Sequence, residues 1–194
     1  MTIRTLPLAT VLALAAVLGA CSGKDDSKTT PASVEATGDA SHRTLAATIG
    51  AAPELTVLSG ALSEAGLADV FDGPGSYTVL APDDDAFGKL GENGKALSDP
   101  SNRAEMVALL RGHILPGHLT PEAIKQAIAG KKGPVTMRTL GGGMVTFSAD
   151  GETISVAGAD GAKAKIDGTA LVASNGVVLP IDGLVKSPAA AKAS

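Results

Sequence analysis

The apolar positions between residues 45 and 128 follow the period of an α-helix. Side chains three or four positions apart share one face of a helix, so this spacing predicts helices with one buried stripe. Pro53 suits a first helical position, and Gly66 marks a stop. The predicted inward side chains are Leu45, Ile49, Leu55, Leu58, Leu62, Met106, Leu109, Leu110, Ile124 and Ile128.

Two later helices carry recognisable start signals. Asn102 followed by Glu105 has the spacing of a helix cap. Thr120, with proline next to it, predicts a second start, and Gly130 predicts the end of that helix. Before them, the segment 72–75 combines Asp, Gly and Pro and predicts a break in the chain.

From residue 135 onward, the period of the apolar residues changes to two, which is typical of half-buried strands. Asp150-Gly151 is a hairpin turn signal between two such runs, and Gly141–Gly143 breaks the chain before them. The segment 177–185 is mostly apolar, as a strand buried on both faces would be. Helices followed by strands predict an α+β domain with helices packed on a mostly antiparallel sheet.

The start of the chain has the layout of an export signal. Arg4 precedes a short apolar run from Leu6 to Val17, and small residues lead to Cys21. The segment 18–21 resembles the lipobox of bacterial lipoproteins, which implies lipid attachment at Cys21. The alternatives are a transmembrane anchor, for which about 20 apolar residues are needed, and a secreted protein with a stray thiol.

These features predict four regions. Residues 1–20 form a signal peptide, and residues 21–41 hold the lipidated cysteine and a flexible tether rich in small and polar residues. Residues 42–186 form the folded domain, and residues 187–194 form a disordered tail. With a single cysteine, the folded domain has no internal disulfide and depends on its core.

Composition and charge narrow the possible partners. The formal net charge is −4, and the chain contains no Trp, one Tyr and three Phe. Nucleic-acid binding is disfavoured, because the sequence has neither a basic patch nor aromatic stacking platforms. The same shortage of aromatic residues disfavours a lectin that stacks on sugar rings.

Three kinds of residue are candidates for chemistry. Asp83, Asp84 and Asp85 suit either a divalent metal site or the start of a helix, where carboxylates cap N–H groups. Consecutive helical residues diverge, which favours the helix start. His113 suits either zinc binding, for which other ligands are scarce, or a buried, hydrogen-bonded strand position, which is favoured. Asn175 precedes a glycine and predicts a turn whose side chain bonds backbone groups.

Four segments in order resemble the fasciclin domain. The segment 77–87 is similar to the family's strand, Ala-Pro, acidic cap and Ala-Phe helix, and the segment 109–117 to its leucine helix and Tyr-His strand. The segment 139–142 is similar to its Thr-Leu-x-Gly stretch, and the segment 173–183 to its closing Asn-Gly-Val strand. The resemblance implies a wedge-shaped β-sandwich with an N-terminal helical layer, and cell-surface adhesion without catalysis.

The chain also departs from the family pattern. The tyrosine of the Tyr-His pair is Gly112, the Asp-Ile pair is Ala170-Leu171, and the late His-Val pair is Leu179-Pro180. These departures disfavour integrin-like recognition. Pro180 has no N–H to donate, which predicts that it lies at a strand edge or a bulge. Leu171, Val172, Val177 and Leu179 are predicted to be core residues.

The sequence therefore predicts a cell-surface, lipid-anchored adhesion module in the cell envelope, with Cys21 attached to the outer membrane or cell surface. Its expected partners are the membrane, through the lipid, and an envelope protein or polysaccharide. We expect no cofactor, no metal and no catalytic residue. Two alternatives stay open: an envelope metal-assisted hydrolase using Asp84, Asp85 or His113, and a carrier of a small apolar ligand.

Overall fold

The structure is a computed structural model that describes residues 42–97 and 99–188. The predicted signal peptide, the lipid-attachment residue Cys21 and the predicted tether lie outside the described residues. Residues 189–194 of the predicted tail lie outside them as well.

The described residues form seven α-helices and eight β-strands. The helices are α1 (Leu45–Ala51), α2 (Thr56–Glu64), α3 (Ala68–Asp72), α4 (Asp84–Gly88), α5 (Glu92–Leu97), α6 (Arg103–Gly112) and α7 (Pro121–Lys131). The strands are β1 (Tyr77–Pro82), β2 (Ile114–Pro116), β3 (Val135–Arg138), β4 (Met144–Asp150), β5 (Thr153–Gly158), β6 (Lys163–Lys165), β7 (Leu171–Ala173) and β8 (Gly176–Ile181).

The strands form two four-stranded sheets. The first sheet has the order β2-β1-β8-β7, and the second has the order β3-β4-β5-β6. All neighbours are antiparallel except β1 and β8, which run parallel over six residue pairs from Tyr77–Gly176 to Pro82–Ile181. The predicted α+β class, with a sandwich of mostly antiparallel sheets and an N-terminal helical layer, is confirmed.

Two hydrophobic cores lie on opposite faces of the first sheet. Val79 and Val178 pack against the helices, whereas Leu80 and Leu179 pack against the second sheet. Because successive strand residues point to opposite faces, β1 and β8 must be apolar at nearly every position. This explains the continuous apolar run that begins at residue 177. Ile124 of α7 packs into the core between the sheets.

The helix starts only partly follow the sequence signals. Thr120 accepts a hydrogen bond from the Ala123 N–H and caps α7, as predicted. Asn102 makes no cap hydrogen bond, and its side chain donates to the Ala96 carbonyl instead. Pro53 was expected at a first helical position, but it lies in a turn, and α2 begins three residues later at Thr56. A bond only six residues back replaces the cap predicted for Asn102, whereas the start of α2 is bonded by the distant Asp84 carboxylate.

The prediction that Pro180 lies at a strand edge or a bulge is wrong. It lies in β8, an inner strand of the first sheet, and its register partner is Ala81 in β1. The Pro180 carbonyl accepts from the Asp167 N–H, so the side of the residue that lacks a donor faces away from β1. On that side, the pairing of β7 with β8 ends at Val178, so no β7 carbonyl requires a backbone N–H from residue 180. An inner strand tolerates proline here because its second neighbour is short.

Not every predicted core position is buried. Val177 and Leu179 are fully buried, but Leu171 is half-buried and Val172 is 40% exposed. Both exceptions lie in β7, at the edge of the first sheet. Strand side chains project from the two faces of a sheet, and a layer packed on a face can end before it reaches the edge strand, so a residue pattern alone does not decide their burial.

The close approach of β1 and β8 predicts a specific glycine requirement. A Cβ at Gly176 would lie 2.0 Å from the Tyr77 carbonyl oxygen and 2.7 Å from Leu45 Cδ1. We expect Gly176→Ala to lower the free energy of unfolding by more than about 2 kcal/mol, because backbone must move to make room. Urea unfolding monitored by circular dichroism measures this.

The matched control is Gly130→Ala in α7, where an added Cβ meets nothing within 4 Å. Alanine is the better helix former, so this variant should gain about 0.5 kcal/mol. Equal effects of the two substitutions would contradict the packing of β1 against β8.

Candidate functional site

The three consecutive aspartates serve two different helices. The Asp83 carboxylate accepts from the Ala86 N–H at 2.6 Å and caps α4, as the sequence predicts. The Asp84 carboxylate accepts from the Thr56 hydroxyl at 2.6 Å and from the Val57 N–H at 2.9 Å. It therefore caps α2, far along the chain, whereas Asp85 is exposed. The carboxylates diverge and do not form a cage.

His113 is buried between α6 and the segment after β8. It follows the last residue of α6 and precedes β2, so it is a helix cap position and not the strand residue that was predicted. Nδ1 lies 2.9 Å from the Leu109 carbonyl, and Nε2 accepts from the Val185 N–H at 3.0 Å. Both partners fix one neutral tautomer, with the proton on Nδ1. Neither ring nitrogen is left for a metal or a substrate.

Burial lowers the pKa of His113 from 6.5 to about 4. The hydrogen bond to the Leu109 carbonyl raises it and the nearby Lys186 ammonium lowers it, while the Asp160 carboxylate raises it slightly. Desolvation is the largest effect, because a charged imidazole would lose its hydration in the core. His113 is therefore neutral at physiological pH.

Asn175 connects three segments at one end of the β1–β8 pair. Its side-chain oxygen accepts from the Leu45 N–H at 2.8 Å, at the start of α1. Its side-chain nitrogen donates to the carbonyls of Phe71 and Gly73, at the end of α3. The predicted bonds to backbone groups are present, but the groups belong to distant segments and not to the turn itself.

A polar groove of about 490 Å³ opens beside Asn175. The exposed His118 contributes to its lining, as does Asp72, whose carboxylate accepts from the Thr44 hydroxyl at 2.6 Å. His118 and His113 thus lie in different surroundings, one at the surface and one in the core. The loop 73–76 forms another part of the groove wall.

Within residues 42–97 and 99–188, no three histidine or acidic side chains come together in a cluster that could hold a metal. Among the same residues, no helix has the length and apolar character needed to cross a membrane. Two of the three groups named for a hydrolase have structural roles, since the His113 ring and the Asp84 carboxylate accept from backbone N–H groups, whereas Asp85 is exposed.

At the position of the family's missing tyrosine, a Cβ on Gly112 would lie 2.9 Å from Lys186 Cδ, in the flexible part of a side chain. The close backbone approach beside it depends on Gly141, where a Cβ would lie 3.0 Å from the Gly112 nitrogen. The Gly141 N–H also donates to the Arg111 carbonyl. Glycine at residue 141 therefore allows the turn between β3 and β4 to pack directly on the end of α6.

The outward face of the second sheet is a surface that sequence reasoning missed. Its side chains alternate with the buried residues of the same strands, so the period of two could have revealed it. What the linear sequence did not reveal is that cations from β3 and β6 share this face. We call it the hydroxyl face, and it consists of Thr136, Arg138, Thr146, Ser148, Ser155, Lys163 and Lys165.

The buried His113 predicts a pH dependence of stability. Its pKa is about 4 in the folded protein and near 6.5 in the unfolded chain, so the unfolded chain binds a proton first as the pH falls. The neutral ring is fully compatible with folding above pH 6.5. Between about pH 6.5 and 4, we expect this residue to cost up to about 3 kcal/mol of stability.

The control is His113→Gln, which has a side-chain oxygen that can accept from the Val185 N–H but does not titrate. Urea unfolding of both proteins from pH 7.5 to 4.5 isolates the histidine, because the carboxylates are common to both. The native protein should lose stability more steeply than the variant. Parallel curves would mean that His113 does not carry the effect.

The bonds of Asn175 predict a large effect of Asn175→Asp. Aspartate keeps the acceptor for the Leu45 N–H but sets a negative charge against the Phe71 and Gly73 carbonyls. We expect a loss of about 2–4 kcal/mol in the free energy of unfolding, measured with denaturant at pH 7. The matched control is Asn93→Asp on the exposed α5, which should change stability by less than about 0.5 kcal/mol.

Comparison with known proteins agrees with this architecture. The chain is 28% identical to Protein sll1483 of Synechocystis sp. over 134 residues, which is 69% of this chain and 67% of that protein. It is 32% identical over 130 residues to the transforming growth factor-beta-induced protein ig-h3 of Sus scrofa, which covers 66% of this chain and only 17% of that protein.

A solved structure and a family model complete the comparison. The FAS1 domain pair of the insect cell adhesion molecule Fasciclin I superposes with a TM-score of 0.67 at 12% identity, covering 76% of this chain and 52% of that one. At this identity the likeness concerns the fold alone. The model of the fasciclin domain matches residues 53–187. The chain belongs to the fasciclin domain family.

Proposed function

We propose that this protein is a lipid-anchored adhesion module of the cell envelope, which binds an envelope or extracellular protein or polysaccharide. Fasciclin domain proteins are generally non-enzymatic, cell-adhesion-related modules of the extracellular space or cell surface. The match of the family model across residues 53–187 is the observation that carries the proposal.

The use of the polar side chains supports binding over catalysis. Asp83 and Asp84 are helix caps, His113 is a neutral core residue, and Asn175 joins distant backbone segments. Catalysis needs groups that are held near a substrate and free to exchange protons or bonds. Groups whose lone pairs and protons are already committed to the backbone stabilise a scaffold and leave recognition to its exposed surfaces.

The sequence around Cys21 supports the anchor. Acylation of the thiol and of the new amino terminus would supply more than one lipid chain, which is the condition for stable attachment to a bilayer. A tether over residues 22–41 would hold the domain off the surface. Many anchored copies on one cell would raise the local concentration of binding sites, so that weak single contacts suffice for adhesion.

The proposal predicts that Cys21→Ala separates localisation from folding. The variant should appear in the soluble envelope or medium fraction and should lose surface attachment, because the thiol that accepts the lipid is absent. Fractionation with an antibody and an attachment assay measure the two effects. Cys21 lies outside the predicted folded domain, so the far-ultraviolet circular dichroism of the purified variant should match that of the native protein.

Deletion of the gene provides the reference for the attachment assay. Cells that lack the protein should attach as poorly as cells with Cys21→Ala. The proposal is wrong if the native protein is unacylated in the cytosol, or if attachment of both strains equals that of native cells on every surface tested.

A further inference from the structure

We propose that the hydroxyl face of the second sheet binds an acidic polysaccharide whose sugars carry carboxylates. The inference rests on the proposed adhesive function, since it names the surface and the chemical class of one partner. It depends on three observations: the register of the strands, which sets the rows of the face, the placement of its cations, and its hydroxyl side chains.

The register of the second sheet sets the face out in rows. One row across the strands runs Thr136, Thr146, Ala157 and Lys163, and the next runs Ser148, Ser155 and Lys165. Neighbouring strands lie about 4.8 Å apart, so β3 and β6 are separated by about 14 Å. Within one strand, alternate residues are about 7 Å apart. These rows give a polar platform as wide as a few sugar rings.

Cations lie at opposite sides of this platform. Arg138 lies on β3, at the edge of the sheet, and Lys163 and Lys165 lie on β6, at the other edge. All three are exposed. Among the described residues the ion pairs are Lys95–Glu92 and Lys125–Glu152, and neither involves these cations. The Arg138 Nε–H donates to the Gly142 carbonyl, and the Asp182 carboxylate accepts from the backbone N–H of Lys165. The three charged groups are exposed and can still be reached by a partner.

Acidic groups are placed away from the centre of the face. Asp150 lies at the hairpin end of β4, and the Glu152 carboxylate is paired with Lys125 of α7. The Asp160 carboxylate accepts from the N–H groups of Ala162 and Ser187. The net charge of −4 does not prevent binding of an anion, since charges beyond about 8 Å are largely screened at physiological salt.

The centre of the platform offers hydroxyl groups. Thr136 and Thr146 lie opposite each other with their hydroxyl oxygens 3.2 Å apart, and Ser148 lies opposite Ser155. Each hydroxyl both donates and accepts, which matches the hydroxyl and carboxylate groups of a sugar chain. A polymer that crosses the strands could place carboxylates near the two cationic edges and neutral groups over the hydroxyls.

The same observations disfavour other polyanions. Attraction to an anionic lipid surface typically uses a contiguous cluster of four to eight basic residues, whereas this face has three cations divided between two edges. It also lacks aromatic side chains on which nucleic-acid bases could stack. Among the outward residues of β3 to β6, Met144 is the one large apolar side chain that is exposed. A single side chain of this kind is too little for insertion into a bilayer.

The test uses the chain from residue 21 onward with Cys21→Ala, so that neither the apolar run Leu6–Val17 nor a lipid contributes to vesicle binding. The probes are polygalacturonate, neutral dextran, and vesicles of phosphatidylcholine with phosphatidylglycerol. Titration calorimetry at low and physiological salt measures the affinities. We expect saturable binding of polygalacturonate that weakens with salt, and no binding of dextran.

Charge variants locate the binding. Lys163→Gln with Lys165→Gln should weaken polygalacturonate binding by at least about fivefold. The matched control is Lys131→Gln with Lys132→Gln, which removes two exposed charges at the end of α7, on the other side of the sheet. It should change the affinity by less than about twofold. Equal effects of the two double variants would overturn the inference.

Hydroxyl variants separate sugar recognition from attraction by charge alone. Thr146→Val with Ser155→Ala leaves every charge in place, and it should weaken polygalacturonate binding by about threefold or more. Unchanged affinity would overturn the role of the hydroxyls. Vesicle binding stronger than polygalacturonate binding, and lost in the lysine variant, would overturn the polysaccharide in favour of a lipid surface.

The inference and the proposed function fail separately. If polygalacturonate does not bind, but cells with Cys21→Ala still lose attachment, then this surface assignment is wrong and the adhesive function stands. If polygalacturonate binds at the hydroxyl face, but attachment does not change when the gene is deleted, then the adhesive function is wrong and the binding site stands.

Discussion

The parallel pairing of β1 with β8 is the contact on which the rest of the structure depends. Six residue pairs join Tyr77–Pro82 to Gly176–Ile181, and both strands are buried on both faces. The two strands come from distant parts of the chain, so their pairing closes the domain. Because one face supports the helical core and the other the core between the sheets, loss of this pairing would expose both cores at once.

The polar residues that stand out in the sequence lie around this strand pair. Asn175 lies at its start and joins α1 to α3, while Asp83 follows its end and donates its N–H to the Ile181 carbonyl. The His113 carbonyl accepts from the Leu80 N–H, and the His113 ring holds the Val185 N–H. These residues fix the strand pair to its surroundings, which gives each of them a structural role.

Most of the fold could be predicted from the sequence because the period of the apolar residues is a local signal. The helical stripe at Leu58 and Leu62 and the alternation at Val145 and Phe147 both correspond to buried faces. The parallel pairing of β1 with β8 has no such signal. The cap of α2 has no local signal either, because the Asp84 carboxylate that accepts from the Val57 N–H lies 27 residues further along the chain. Pro180 is compatible with an inner strand because β7 is short and its pairing with β8 ends at Val178, so no β7 carbonyl needs an N–H from residue 180.

The surface was harder to predict than the core. Arg138, Lys163 and Lys165 form no basic run in the sequence, and only the register of four strands places them on one face. The exposed Val172 shows the same limit, since its burial depends on how far the layer packed on the first sheet extends over the edge strand β7. A scaffold of this kind can keep its inner polar bonds while its outer surface changes, which separates stability from recognition.

Native-state hydrogen exchange measures the central claim most directly. If the β1–β8 pairing holds the domain together, the amides of Val79 and Leu179, which face the partner strand, should exchange only through global unfolding. Amides of β6, at the edge of the second sheet, should exchange through smaller, local openings. Exchange of the β1 and β8 amides at lower free energy than those of β6 would contradict the account.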